Sequence, residues 1–103
     1  MSVVKLTVEN FEQEVLKSEQ PVLVDFYADG CGPCQMMGPV VEEISNEVSD
    51  AKVCKINIDE QMEIAQRYGV MTIPTFAVFK GGEVVNKQIG AMPKAALKNL
   101  LGV

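Results

Sequence analysis

The sequence predicts an α/β fold in which a single mixed β-sheet is flanked by helices on both faces. Three observations carry this expectation. Strand-like and helix-like segments alternate through the first two thirds of the chain, without repeats, low-complexity stretches or a linker. The run "PVLVDFYA" from Pro21 is continuously apolar and short enough for a strand buried on both faces. Near the carboxyl end, "TFAVFKGGEVVNKQIG" sets two apolar runs around Gly81 and Gly82. That is a hairpin signal, so part of the sheet must be antiparallel.

Taken in order, the chain opens with a short strand around Val3 to Leu6. "ENFEQEVLKS" then spaces Phe11, Val15 and Leu16 for a first helix, with Glu9 or Asn10 near its start. The buried strand from Pro21 follows and leads directly into "DGCGPC". From Pro33 to about Val48 a second helix places Met37, Val40, Val41, Ile44 and Val48 on one side and Glu42, Glu43 and Glu47 on the other. Pro39 should kink it. "AKVCKINID" is a further strand, and "EQMEIAQRYG" a short helix ending at Gly69. After the hairpin, Leu97, Leu100 and Leu101 form the apolar face of a last helix opened by Pro93.

Length and charge narrow the function. The 103 residues are read as one domain, residues 1–103, able to bury roughly 60–70% of the surface its unfolded chain exposes. A formal net charge of −5 argues against nucleic acid or an anionic membrane surface as the main partner. The start, "MSVVKLTVEN", lacks a basic segment followed by a long apolar stretch, and no apolar run approaches the ~20 residues of a membrane span. A cytoplasmic, reducing location is the resulting expectation. There, paired thiols serve catalysis or metal binding more often than structure.

Cys31 and Cys34 in "CGPC" are therefore the feature to explain. If Cys31 caps the helix and Pro33 lies in its first turn, unpaired backbone N–H groups and the positive end of the helix dipole face the Cys31 sulfur and favour thiolate. Cys34, three positions on, shares that helical face and can reach the same sulfur. The loop between them is too short for a disulfide to add much entropic stabilisation, which suits cycling better than clamping. A zinc site would need two more ligands, and the chain has no histidine and only Cys54 besides. Two chains sharing an iron–sulfur cluster, or a structural clasp, remain as other uses of the pair.

"VDFYADGCGPC", "KINID", "YGVMTIPTFAVFKGGE" and "IGA" resemble the thioredoxins in order and spacing over essentially the whole chain. The resemblance implies a thioredoxin fold and a dithiol that reduces protein disulfides. Cys31 would attack the target and Cys34 would resolve the mixed disulfide. Cysteine pKa values in such settings fall from ~8.5 to roughly 3.5–7.5, a range that thioredoxins themselves help to define. Asp25 interrupts the apolar strand, where an ionised carboxylate is costly without a partner. The matching family aspartate is buried behind the pair and assists proton transfer at the resolving cysteine, with a pKa raised by burial. Lys55 matches the lysine that neighbours it, although a solvated strand lysine would look the same in sequence. Only about 5–6% of X–Pro bonds are cis, yet the resemblance implies that Pro74 is one of them. It also implies that the backbone at Ile73 pairs with the incoming peptide. Gly32, Pro33, Ile73, Gly90 and Ala91 would then form a small apolar docking surface, edged by Met71 and Met92. Cys54 reads as a small core hydrophobe.

The departures from the family pattern are Gly30, where tryptophan usually precedes the first cysteine, Tyr27, where a second tryptophan is usual, and Gln35, where lysine is common. Gly30 removes an aromatic lid and a contact that partners use. The expected activity is that of a thiol-disulfide oxidoreductase needing neither organic cofactor nor metal, because Cys31 and Cys34 carry both electrons. Its expected partners are a thioredoxin reductase and disulfide-containing client proteins, and the chain is read as a monomer. A thioredoxin fold used purely as a binding module is the competing reading, and a thiol oxidase or isomerase a third.

Overall fold

A computed structural model describes residues 3–103. Five strands form one sheet in the order β1-β3-β2-β4-β5: β1 (Val4–Lys5), β2 (Val22–Tyr27), β3 (Lys52–Asn57), β4 (Thr75–Lys80) and β5 (Glu83–Ile89). β3 pairs in parallel with β1 and β2, whereas β2–β4 and β4–β5 are antiparallel. The mixed sheet expected from the hairpin is thus present. β2 lies at its centre, where parallel pairing gives way to antiparallel.

Strand alternation sends neighbouring side chains of β2 to opposite faces. Val22, Val24 and Phe26 join Phe11, Val15 and Ile64 in one buried cluster. Leu23 joins Met37, Val41, Ile44, Leu97 and Leu101 in the other. Helices therefore cover both faces: α2 (Met62–Arg67) and the first helical segment on one, α1 (Gly32–Glu47) and α3 (Lys94–Leu101) on the other. Because β2 is buried on both sides, its sequence reads as a continuous apolar run rather than an alternating one.

The first helical segment differs from the expectation of an ordinary helix. Glu12–Leu16 is a single π-helical turn, closed by the Lys17 amide donating to the Glu12 carbonyl five residues back at 2.9 Å. Its entrance is fixed by reciprocal bonds: the Thr7 amide donates to Asn10 Oδ1 at 2.7 Å and the Asn10 amide to Thr7 Oγ1 at 3.2 Å. α1 runs through Pro39 without ending there and stops where Val48 turns extended. In α3, Pro93 caps the helix from an extended conformation instead of occupying its first turn. Gly81 and Gly82, both at positive φ (59° and 83°), form the two-residue turn that matches the twist of the hairpin strands. A Cβ on Gly82 would also stand 3.1 Å from the Leu16 carbonyl oxygen.

Candidate functional site

The carboxyl end of β2 delivers Ala28, Asp29 and Gly30 to the amino end of α1. Cys31 caps that helix in an extended conformation (φ −89°, ψ 110°), and its sulfur accepts a hydrogen bond from the Cys34 amide at 3.2 Å. The two cysteines are joined as a disulfide with Cα atoms 5.2 Å apart. No acidic side chain lies in the first turn of α1, so nothing there offsets the positive end of its dipole. The pair is asymmetric: Cys31 is partly exposed beside the exposed Gly32 and Pro33, whereas Cys34 is only 5% exposed.

Behind the pair lies Asp25, 4% exposed, with Oδ1 making no hydrogen bond among the described residues. Burial disfavours its charged form and pushes its pKa from 3.8 to about 7, against a smaller opposing pull from the Lys55 charge. Lys55 sits directly across from Asp25 in the parallel β2–β3 register. A cleft of about 190 Å³ is lined by Asp25, Tyr27 and Lys55 from the sheet and by Cys34 and Gly38 from α1, so the buried acid and the inner cysteine border one space.

The Ile73–Pro74 bond is cis, matching what the family resemblance implied rather than the base rate. The Gly90 amide donates to the Pro74 carbonyl at 2.8 Å, which ties the segment bearing Gly90 and Ala91 to the Ile73–Pro74 loop. Ala91 is exposed and Ile73 and Gly90 are partly so. Met71 is 93% exposed, but Met92 packs against the α1–α3 core. Ala91 and Met92 also border a separate groove of about 490 Å³ between β5 and α3. Cys54 is fully buried among apolar residues, and desolvation pushes its thiol up to about 12, so it behaves as core.

Two residues read from sequence as departures, Gly30 and Tyr27, gain structural roles, and a third, Gly38, is not singled out by the sequence reading. Gly30 holds φ +78°, a left-handed conformation that L side chains rarely adopt, so glycine there answers a backbone requirement. Gly38 lines the cleft one helical turn beyond Cys34. A glycine inside a helix next to a proline was the available signal. Tyr27 presents its ring to Lys55, whose Nζ lies 5.9 Å from the ring centroid.

Comparison with known proteins agrees with this arrangement. The thioredoxin family model matches residues 2–102. Thioredoxin 1 of Synechococcus elongatus is 52% identical over 92 residues, covering 88% of this chain and 86% of its own. The thioredoxins of Pyropia yezoensis and Bacillus subtilis are 51% and 49% identical over 102 residues each, covering 98% of this chain and 95% and 96% of theirs. A helix-capping CGPC disulfide at the end of a central strand, matched over nearly the whole chain at about half identity, has one consequence: the chain belongs to the thioredoxin family and is a protein thiol-disulfide oxidoreductase.

Proposed function

We propose that this oxidoreductase runs in the reducing direction, with Cys31 as nucleophile and Cys34 as resolving thiol. The Cys31 thiolate attacks one sulfur of a client disulfide, forming a mixed disulfide and expelling the other client sulfur as a thiolate. Cys34 gives its proton to Asp25 and attacks the Cys31 sulfur, which closes the Cys31–Cys34 disulfide and releases the second client thiol. The client gains two electrons, which the protein loses; Asp25 passes the Cys34 proton to the departing client sulfur, and the first client thiolate takes from solvent the proton that Cys31 gave up when it ionised. Both electrons reside on the two sulfurs, so the cycle draws on no organic cofactor or metal.

One observation carries this reading: the pair is asymmetric, with the partly exposed sulfur receiving a helix amide and the buried cysteine sharing a cleft with a carboxyl of raised pKa. A carboxyl whose pKa lies near working pH can both take and return a proton. Lys55 modulates that carboxyl by its charge, while Gly32 and Pro33 shape the turn around Cys31. Pro74, Ile73, Gly90 and Ala91 form the surface on which an extended client segment docks. The protein works as a single domain, residues 1–103, and as a monomer in the cytoplasm. It takes electrons from a thioredoxin reductase and passes them to disulfide-bonded clients. Among the described residues no helix is long and apolar enough to cross a membrane.

Replacing Cys34 with Ser tests the assignment. Client proteins should accumulate as mixed disulfides on Cys31, because the thiol that releases them is gone. If no adducts form under conditions where the wild type turns over, a binding-module role displaces this one. Running the wild-type assay with either an NADPH-driven thioredoxin reductase or a chemical dithiol as electron source identifies the reductant.

A further inference from the structure

We infer that Tyr27 is a positioning residue: its ring face holds the Lys55 ammonium at the mouth of the cleft and keeps it from closing into an ion pair with Asp25. The inference rests on the reading that Asp25 accepts the Cys34 proton. It explains how a lysine can neighbour that carboxyl without quenching its function.

Strand register supplies the geometry. Asp25 pairs with Lys55 and Tyr27 with Asn57 in the parallel β2–β3 ladder. Asp25 and Tyr27, two residues apart, face the same side of the sheet. Lys55 Nζ lies 5.9 Å from the Tyr27 ring centroid, inside the ~6 Å over which a ring face attracts a cation. The partner of Tyr27 in the ladder, Asn57, belongs to a fixed turn. Asn57 is buried, and its Oδ1 accepts from the amides of Asp59 at 2.9 Å and Glu60 at 3.2 Å. The strand that carries the ring therefore runs beside a well-fixed neighbour.

Lys55 has two electron-rich neighbours lining the same cleft, the ring and the carboxylate. It acts on Asp25 through space, and Asp25 Oδ1 remains without a hydrogen bond among the described residues. Without the ring face, the flexible ammonium is free to swing onto that oxygen, and a close opposite charge favours the ionised carboxyl. The other groups facing this space are few. Asp29 lines the cleft, Cys34 reaches it from α1 as part of the disulfide, and the β4 residue paired with Asp25 is the uncharged Phe76. Lys5, Asp29 and Glu60 act on the Tyr27 hydroxyl through their charges.

The direct readout is the carboxyl carbon of Asp25, followed by carbon-13 NMR against pH in the oxidised protein, where Cys31 and Cys34 do not titrate. The wild-type midpoint should fall at about 7. Tyr27→Leu keeps apolar bulk but lacks a ring face, and should lower the midpoint by about one pH unit or more. Tyr27→Phe keeps the face and should titrate as wild type; Tyr27→Met replaces the Leu variant if that one fails to fold. On a Lys55→Met background the Leu substitution should no longer lower the midpoint. An unchanged midpoint in Tyr27→Leu overturns the proposal, as does an equal drop without Lys55, which would mean that Tyr27 acts by excluding water. Asp25's own role is checked separately, through the pH dependence with which the pre-reduced protein reduces insulin. If Asp25→Asn keeps the wild-type acid limb, the proton-transfer reading fails, and the NMR result still decides the role of Tyr27.

Discussion

Replacing Asp25 with Asn should stabilise the protein, and by an amount that grows with pH. The carboxyl has a pKa of about 7 in the folded state against a reference of 3.8. Between those values the native state holds a proton that the unfolded chain has released, so stability falls as pH rises. Each pH unit corresponds to 1.36 kcal/mol, and the roughly three-unit difference accumulates to about 4 kcal/mol once pH exceeds 7. The sign follows from the cause: burial penalises the charge, and only the Lys55 charge partly offsets it. The neutral amide has no charge to bury, so Asp25→Asn should match the wild type near pH 4 and exceed it at pH 8. For a chain of this size the gap corresponds to about 15 °C or more in Tm. Thermal unfolding of both oxidised proteins, followed by circular dichroism from pH 4 to 9, measures the difference directly. Other groups titrate in both proteins and cancel. Parallel stability curves across pH 5 to 8 would refute the reasoning, because they would mean that Asp25 ionises in the fold as easily as in water.

Two further outcomes follow from backbone and core. Gly30→Trp forces an L side chain into φ +78°, so although a Cβ there meets nothing within 4 Å, the variant should lose about 1–2 kcal/mol. Gly30→Asn should lose less, and equal melting temperatures for wild type and Gly30→Trp would show that the Asp29–Gly30 backbone flips freely. Cys54→Ala removes a fully buried sulfur and should cost about 1 kcal/mol in denaturant unfolding while leaving insulin reduction unchanged. A loss of turnover in that variant would assign Cys54 a redox role.

What could be read from the sequence was whatever a short segment decides for itself. The uninterrupted apolar run of β2, the limits of α1 and the glycine hairpin follow from burial, capping and turn chemistry acting over a few residues. Asp25 was legible as an anomaly, because an acid within an apolar strand needs a reason. The cis bond before Pro74 was legible only by resemblance, since nothing local to "TIPT" selects it. Long-range packing decided the rest. The Phe11 segment carries helical spacing, but it closes as one widened turn whose Val15 packs into the sheet's core. Gly30 looked like a missing tryptophan and proves to be a left-handed residue. Tyr27 and Lys55 are separated by 5.9 Å in space but lie on different strands, a relation that no local pattern encodes.

The central place of β2 has a consequence for how the protein endures repeated turnover. Its backbone is hydrogen-bonded on one side to β3 and on the other to β4, and its side chains enter both cores. Such amides exchange with solvent only when the whole molecule unfolds, whereas an outer strand such as β5, exposed along its length, opens locally. The chain immediately before Cys31 is thus rooted in the last part of the fold to let go. Making and breaking the sulfur–sulfur bond occurs at the tip of that root, so hydrogen–deuterium exchange should find the slowest amides of the molecule in β2 in both the oxidised and the reduced protein.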